Sequence, residues 1–287
     1  MRDSGPDVID ILVIGSVNLD LSAAVSRLPE AGETVTGASL SHFPGGKGAN
    51  QALAAKRLGA DVRLVACVGD DTAADDALAL LREAEVDLFG VQILDDQPTG
   101  IALISVAPSG ENQIVVAPGA NAAMDPDALD VGKADALICQ LEIPGAVVEK
   151  AAVDFDGFFC ANLAPAKEID VSVMQSADLV VVNETEAAWY GDTLKACGGL
   201  IAITYGSRGA TLQKHGETIA EAQPPQVNAI DTVGAGDTFT AALTVALVEG
   251  QPLEAALIFA CAAGAIATTR AGAQPSLPTR AEVESLL

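Results

Sequence analysis

Short apolar runs alternate with longer segments rich in Ala and Leu along most of this chain. Each run is apolar throughout and bounded by turn residues, which is typical of a strand buried on both faces. Such alternation predicts a mostly parallel sheet covered by helices on both sides, an α/β fold. The predicted strands are residues 8–14, 62–67, 136–139, 157–160, 179–182 and 200–204, and the predicted helices between them are 49–58, 73–84, 145–153 and 184–190.

Two stretches, 19–43 and 99–117, interrupt this alternation with β-type sequence and turn residues. They predict β-hairpin insertions beside the main sheet. Beyond residue 234 the sequence predicts two long apolar helices, 237–249 and 253–269, and a last amphipathic helix with Thr279 as its N-cap. No repeat or linker divides the chain, and we expect one domain over residues 8–287, preceded by a flexible tail over 1–7.

The charge of the chain restricts its partners. The formal net charge is −24, so the surface repels phosphate backbones and anionic lipid. We therefore expect neither a nucleic-acid nor a membrane-surface role, and a polyphosphate substrate would need a local binding device. The alternative explanation of this negative charge is that it provides solubility or salt tolerance. No apolar segment reaches the ~18 residues that span a bilayer.

Cysteine and histidine usage argues against a zinc site. The five cysteines are widely spaced without a CxxC pair, and the chain has two histidines. Each cysteine is expected to be a small core residue in a reducing compartment, which indicates a cytoplasmic protein. With 50% hydrophobic residues but 3% aromatic ones, the core must be built from Ala, Val, Leu and Ile.

Segment 228–239, NAIDTVGAGDTF, carries the strongest chemical signal. Gly234 and Gly236 permit a tight turn with exposed N–H groups where a long helix begins, and such a helix N-terminus binds anions. Asp237 would stand in the first turn beside the bound anion. A carboxylate there can take a proton from a hydroxyl while the amides stabilise a transferring phosphoryl group. The alternative is that Asp237 is an ordinary residue of a helix N-terminus.

Other phosphate and cofactor motifs do not match. In the segment 45–48, GGKG, the residue after Lys47 is Gly rather than Ser or Thr, so the segment is not a Walker A loop. A GxGxxG dinucleotide fingerprint and a GxSxG nucleophile elbow are both missing, which argues against a dehydrogenase and a serine hydrolase.

Polar residues also follow the first predicted strand, where open α/β sheets bind ligands. The segment 15–20, GSVNLD, supplies Asn18 and Asp20, and the glycine-rich turn 44–50, PGGKGAN, opens the next helix and supplies Asn50. Together they predict a pocket for a polyol. Taken separately, Asn18 and Asp20 could instead shape a turn, and Asn50 could cap a helix.

Further polar residues follow later strands. Glu142 follows the strand 136–139, and Asn183 opens the segment NETE, where Asn183 and Glu186 could reach a hydrated Mg²⁺. The alternative is a helix N-terminus with favourable acidic residues. The turn 204–209, TYGSRG, could line phosphates or a ribose.

These segments, in this order, resemble the pfkB-type carbohydrate kinases and, among them, the ribokinases. The resemblance covers residues 8–277 and is carried by the motifs 15–20, 45–51, 162–166, 183–186 and 231–239. It implies a three-layer α/β/α fold with a small β lid formed by the two insertions. It also implies transfer of the γ-phosphate of ATP to the 5-hydroxyl of D-ribose, with Mg²⁺, K⁺ activation and a homodimer paired through the lid.

The resemblance assigns roles to individual residues. Asp237 would be the catalytic base, and the amides of Gly234, Ala235 and Gly236 would form the anion hole. The sugar would be held by Asn18, Asp20, Gly46, Lys47, Asn50, Glu142 and Asp237; the nucleotide by Asn183, Thr204, Gly206, Ser207, Gly209, Gly236 and Cys261; Mg²⁺ through Glu186; and K⁺ by Asp231, Val233, Ala267, Arg270, Gly272 and Ser276.

The chain also departs from the ribokinase pattern. Cys261 stands near the adenine where ribokinases often have His, and the regions 153–158 and 190–199 are shorter than usual. Nucleotide preference is therefore left open. Another sugar or nucleoside kinase, or a non-catalytic sugar-binding protein on the same fold, are the alternatives; the scarcity of aromatics disfavours a nucleoside pocket.

Overall fold

A nine-stranded sheet forms the centre of the computed structural model, which describes residues 8–108 and 111–287. The predicted tail, residues 1–7, lies outside the described residues. In chain order the strands are β1 (Asp10–Ile14), β2 (Asn18–Ala24), β3 (Ser39–Gly45), β4 (Asp61–Gly69), β5 (Asp87–Leu94), β6 (Gly100–Val106), β7 (Asn112–Ala117), β8 (Ala136–Gln140), β9 (Phe158–Asn162), β10 (Leu179–Asn183), β11 (Leu200–Thr204), β12 (Ala210–Lys214) and β13 (Glu217–Ala222).

The large sheet has the order β13-β12-β11-β10-β9-β8-β1-β4-β5. Its strands from β11 to β5 pair in parallel, and β12 and β13 add an antiparallel hairpin. The helices are α1 (Lys47–Arg57), α2 (Thr72–Glu83), α3 (Gly145–Asp154), α4 (Val171–Ser176), α5 (Glu184–Tyr190), α6 (Ala235–Val248), α7 (Leu253–Ala267), α8 (Ala273–Ser276) and α9 (Arg280–Glu284). The predicted α/β class with a mostly parallel sheet is confirmed.

The core is aliphatic, as the scarcity of aromatic residues requires. Strand β1 is buried from Ile11 to Ile14, and Leu53 of α1 is fully buried among the core residues. Helices α6 and α7 are apolar on nearly all sides and pack against each other, as expected of helices without a solvent face. No helix in the described part of the chain is both long and apolar enough to cross a membrane.

A second, four-stranded sheet has the order β3-β2-β6-β7, and we call it the small sheet. Its strands come from the two insertions predicted from the sequence, 19–43 and 99–117. Strands β2 and β6 pair in parallel, so the two insertions meet edge to edge. The small sheet follows directly on β1, because β2 begins at Asn18, four residues after β1 ends.

Several elements were not predicted. Strands β5 and β13 lie at the two edges of the large sheet, where one side of a strand is unpaired and polar residues are tolerated, and β12 beside β13 alternates between buried and partly exposed positions. Their sequences therefore lack the continuous apolar pattern by which the central strands were identified. Helix α6 begins at Ala235, two residues before the predicted start, because Gly234 rather than Gly236 makes the turn.

Candidate active site

The first turn of α6 forms the floor of the site. Gly234 is the N-cap with φ 80°, a left-handed conformation that favours glycine, and a Cβ there would lie 3.1 Å from the main chain of Ala273. The Ala235 N–H donates to the Thr232 carbonyl at 3.3 Å, and the next intrahelical bond begins at Thr238. A Cβ on Gly236 would meet open space. The Gly236 amide therefore lies beside room for a ligand, at the positive end of the helix dipole.

Asp237 points from this turn towards the N-terminus of α1. The residue is 6% exposed, and its carboxylate accepts hydrogen bonds from Asn50 Nδ2 at 2.8 Å and Gln51 Nε2 at 3.1 Å. Lys47 Nζ lies 3.9 Å from Asp237 Oδ1. All three partners come from the first two turns of α1, which the glycine-rich turn holds against α6.

Opposing effects set the charges of this cluster. Burial raises the pKa of Asp237, while Lys47 and the hydrogen bonds from Asn50 and Gln51 lower it. Burial lowers the pKa of Lys47, but the neighbouring carboxylates of Asp237, Glu142 and Glu186 outweigh this effect, and the pKa of Lys47 lies above its ordinary value. Burial is the larger effect on Asp237, so its pKa lies above the ordinary value for an aspartate, and Lys47 and the two amides favour its ionised form against that burial.

A cavity opens beside Asp237 between α6 and the carboxyl ends of the central strands. Asn183 at the end of β10 and Thr204 at the end of β11 reach it because parallel strands end at the same edge of a sheet. Its lining residues are Lys47, Asn162, Ala164, Val181, Val182, Asn183, Glu186, Thr204, Gly236, Asp237 and Thr240. Six residues predicted separately for base, anion hole, sugar, nucleotide and Mg²⁺ therefore share one cavity.

Asn183 and Glu186 form a capping box at the start of α5. The Asn183 side chain accepts from the Glu186 N–H, and the Glu186 carboxylate accepts from the Asn183 N–H, both at 2.8 Å. The helix-terminus interpretation of this segment therefore holds, and both side chains also line the cavity. Burial raises the pKa of Glu186, which the Asn183 N–H and Lys47 partly offset.

The residues predicted to hold the sugar form a second cluster next to Asp237. Asn18 Oδ1 accepts from Asn121 Nδ2 at 2.8 Å. Glu142 accepts from the Ser16 hydroxyl and, at 3.1 Å, from the Lys47 main-chain N–H. Gly46 has φ 87°, and a Cβ there would lie 2.7 Å from the Asn18 nitrogen, so glycine alone allows this close approach of two loops.

Asp20 reaches the same cluster from β2. It is 7% exposed, and burial together with the carboxylates of Glu142, Asp237 and Asp231 raises its pKa to about 7. The Asp20 carboxyl therefore exchanges its proton near neutral pH and can present either a donor or an acceptor to a hydroxyl.

Asp231 connects the loop before α6 to the chain after α7. Its Oδ1 accepts from the Val233 N–H at 3.0 Å and its Oδ2 from the Gly272 N–H at 2.9 Å. Ser276 is buried and its hydroxyl donates to Ala273, while the Arg270 side chain pairs with Glu282. Ala267 ends α7 just ahead of this loop. The predicted K⁺ residues thus belong to two adjoining loops behind the Gly234 turn.

The remaining residues predicted to contact the nucleotide are not among those that line the cavity. Gly206 and Ser207 are in the 3-10 turn Gly206–Arg208, and Gly209 packs with φ 98° against the Ala222 carbonyl. Cys261 is buried in α7 with its Sγ 3.8 Å from the Ala222 oxygen, and burial raises the pKa of this thiol to about 11. Its thiol therefore meets the β13 main chain.

Four buried amide side chains of the site were not assigned a role from the sequence: Gln51, Asn121, Gln140 and Asn162. All four are buried, and each hydrogen-bonds to a predicted site residue or to one another. Gln51 and Asn162 belong to the quoted motifs 45–51 and 162–166, which was a usable signal. Gln140 and Asn121 carried none, because an isolated amide in a strand or a turn has no characteristic spacing.

A buried carboxylate at a helix N-terminus, an open amide beside it and a cavity at the strand ends of a parallel sheet are the site of a phosphoryl-transfer enzyme of the α/β class. The model of the pfkB family carbohydrate kinases matches residues 8–280, and the chain belongs to this family. A Bacillus subtilis ribokinase is 38% identical over 97% of this chain and 99% of its own length.

Solved structures give the same result. A ribokinase from Thermotoga maritima superposes with a TM-score of 0.88 and 34% identity, covering 97% of this chain and 99% of the other. An Arabidopsis thaliana ribokinase, solved in complex with ribose and ATP, has a TM-score of 0.85, 31% identity and coverage of 97% and 98%. The predicted family, and with it an ATP-dependent sugar kinase, is confirmed.

Proposed function

We propose that this chain transfers the γ-phosphate of ATP to the 5-hydroxyl of D-ribose, giving D-ribose 5-phosphate and ADP. The observation that supports this most directly is the buried Asp237 carboxylate at the N-terminus of α6, beside the open Gly236 amide. Relatives with the printed name ribokinase over nearly the whole length support the choice of sugar.

In this mechanism Asp237 takes the proton of the sugar hydroxyl as that oxygen bonds to the γ-phosphorus. The bond from the γ-phosphorus to the bridging oxygen breaks, and ADP leaves with the electron pair. The Gly234, Ala235 and Gly236 amides of the first turn stabilise the charge on the transferring group, and Lys47 adds a positive charge 3.9 Å from Asp237. Asn18, Asp20, Gly46, Asn50 and Glu142 orient the sugar.

The residues present fit Mg²⁺. The described ranges, 8–108 and 111–287, contain no group of three or more His, Cys, Asp or Glu side chains placed to hold a metal. A single carboxylate suits Mg²⁺, which binds through one or two carboxylates together with substrate phosphates and waters. Glu186 in the cavity would help to hold it, and the bound ion would neutralise phosphate charge. Asn183, Thr204, Gly206, Ser207, Gly209 and Cys261 would contact the nucleotide.

The loops around Asp231 fit a monovalent cation. The proposed donors are oxygens: the Asp231 carboxylate, the Ser276 hydroxyl and the main-chain carbonyls of Val233, Ala267, Arg270 and Gly272. Main-chain carbonyl oxygens can replace the hydration shell of K⁺. Since Asp231 already holds Val233 and Gly272 together, a cation here would order the turn that ends at Gly234. Activity unchanged when tetramethylammonium replaces K⁺ would contradict this assignment.

The small sheet would act as a lid over the sugar and pair with a second copy of the chain. Its two faces differ: Asp20 is on the face towards the site, whereas Leu103 pairs with Leu21 and Val115 on the opposite face. On that opposite face Leu40, Leu103 and Val115 are 62%, 50% and 64% exposed. Three exposed aliphatic side chains on one β-surface favour burial against an identical surface.

Light scattering tests the dimer. We expect twice the chain mass for the wild type and the monomer mass for Leu103→Lys, with Ile219→Lys on the exposed side of β13 as the matched control that stays dimeric. A monomeric wild type would rule the dimer out.

We further propose a cytoplasmic location, which agrees with five cysteines that are all buried, free thiols.

The activity is tested by ADP release with ATP, Mg²⁺ and K⁺ on D-ribose, 2-deoxy-D-ribose, D-fructose and adenosine. We expect turnover on D-ribose and a kcat about 10²–10⁴-fold lower in Asp237→Asn. Asp170→Asn is the control, because Asp170 caps α4 on the surface and asparagine caps equally well. Turnover on another substrate alone would replace the sugar assignment, and none on any of the four would refute the proposed function.

A further inference from the structure

A chain of buried amides lies beneath the Asp237 carboxylate. Gln51, which is fully buried, donates from Nε2 to Asp237 Oδ1 at 3.1 Å and to Asn162 Oδ1 at 3.0 Å. Its Oε1 accepts from Gln140 Nε2 at 2.6 Å. Asn162 Nδ2 donates to the Val181 carbonyl at 3.1 Å. The chain thus connects Asp237 to the ends of β8, β9 and β10.

The direction of every amide in this chain is determined by its ends. An ionised carboxylate only accepts hydrogen bonds, so Gln51 must turn its NH₂ group towards Asp237. Its oxygen then faces Gln140, which must present an NH₂ group in turn. At the other end the Val181 carbonyl also only accepts, which turns the Asn162 oxygen towards Gln51. The network therefore has one consistent arrangement of donors and acceptors.

The Gln140 side chain completes this arrangement but leaves one of its own polar atoms without a hydrogen bond. Its Oε1 is buried without a hydrogen-bond partner in the described part of the chain. A Cβ on Gly15 would lie 2.0 Å from that oxygen, so only glycine leaves room for the amide. A buried unpaired acceptor destabilises a fold, and a methionine of similar size would avoid it. The amide at Gln140 is thus better explained by its hydrogen bond to Gln51 than by packing.

We propose that Gln51 is the positioning residue of the catalytic base: held by Gln140 and Asn162, it fixes the orientation of the Asp237 carboxylate and stabilises its ionised form. The proposal rests on the proposed function, because it requires Asp237 to act as the base. Gln51 acts through Asp237 and has no exposed surface from which to contact a sugar or nucleotide.

Removal of the donor should therefore act on proton acceptance and leave substrate binding intact. In Gln51→Met the Asp237 carboxylate loses one of its hydrogen bonds, which disfavours its charged form. The acid limb is the low-pH part of the profile of kcat against pH, where kcat rises as the base loses its proton. We expect this limb to shift to higher pH by about one unit, which lowers kcat about tenfold on the acid side. The dissociation constant for D-ribose, measured by calorimetry without ATP, should change less than about twofold.

The matched control is Gln274→Met. Gln274 is another fully buried glutamine, but its contact is with the Gly45 carbonyl rather than with Asp237. The same chemical change there should leave the acid limb where it is in the wild type. Thermal melts of each variant confirm that the assay temperature lies below unfolding.

A second pair of variants tests the direction of the amides. In Gln140→Glu the new carboxylate accepts hydrogen bonds and so turns the NH₂ group of Gln51 towards itself. The Gln51 oxygen must then face Asp237, and the acid limb should shift to higher pH as in Gln51→Met. In Gln140→Met the Gln51 amide stays fixed by Asn162 and Asp237, and the shift should be smaller. If Gln51→Met does not fold, the comparison of Gln140→Glu with Gln140→Met tests the positioning role of Gln51.

The outcomes separate the two proposals. An inactive Asp237→Asn together with a wild-type acid limb in Gln51→Met, or equal shifts in Gln140→Glu and Gln140→Met, would overturn the positioning role alone. An Asp237→Asn variant with the kcat of the wild type would overturn the role of Asp237 as base and this inference with it, whereas a wild type without turnover on any of the four substrates would overturn the proposed function. A raised acid limb in Gln51→Met and Gln140→Glu, with unchanged ribose binding, supports the positioning role.

Discussion

Asp20→Asn should stabilise the protein, and more strongly at higher pH. The Asp20 carboxylate lies directly against β3, since a Cβ on Gly45 would be 2.3 Å from its Oδ2. Burial, and after it the charges of Glu142, Asp237 and Asp231, raises the pKa of Asp20 from 3.8 to about 7. The folded protein therefore binds a proton here over a pH range in which the unfolded chain has released it.

This difference sets the sign and the size of the effect. Between pH 4 and 7 the folded state holds more protons than the unfolded state, so the free energy of unfolding falls as pH rises and the loss is complete above pH 7. Three pH units at about 1.4 kcal/mol each give a loss of roughly 4 kcal/mol. Asparagine has almost the same shape and no such penalty. Asp20→Asn should exceed the wild type by roughly 2 kcal/mol at pH 5 and roughly 4 kcal/mol at pH 8.

Urea unfolding of both proteins without sugar, at pH 5 and pH 8, measures this difference. The quantity to compare is the change in the free energy of unfolding caused by the substitution at each pH. A value that is equal at the two pH values, or smaller at pH 8, would refute the inference that burial disfavours the ionised form of Asp20.

Three further predictions concern the same site. Gly48→Ala would place a Cβ 2.6 Å from the Gly15 and Ser16 main chain, so it should lower the free energy of unfolding by roughly 1–3 kcal/mol and displace α1 from Asp237; urea unfolding and kcat measure both. Lys47→Met leaves Asp237 without its cation, and kcat should fall at least about tenfold with an acid limb at higher pH; a wild-type pH profile would contradict the ion pair. Asn183→Ala breaks the capping box of α5 and should cost about 1 kcal/mol in thermal unfolding, whereas Asn183→Ser, which can still cap, should cost less.

Much of the fold followed from local patterns. Strands such as β1, β8 and β10 are buried on both faces, and burial on both faces is written into the sequence as an uninterrupted apolar run. The start of α6 was also predictable to within two residues, because glycine and a first-turn acid are local signals. Strands β5 and β13 were not, because an edge strand has a free side where polar residues are tolerated, and β12 was not, because its buried and partly exposed positions alternate.

For the site, the sequence by itself determined the residue types and their order: Asp237 after a glycine turn, amides and acids after successive strands, and motifs that identify the family. It could not determine which partners they meet, because those partners come from distant parts of the chain. Gln51 contacts Asp237, 186 positions away, and Gln140, 89 positions away, and the unpaired oxygen of Gln140 has room only because residue 15 is a glycine. The raised pKa of Asp20 likewise arises from burial and from carboxylates gathered by the sheet. The contacts and the pKa shift depend on distances between remote residues and on desolvation, and a sequence pattern does not contain either. They are determined by how α1 and α6 pack on the strand ends.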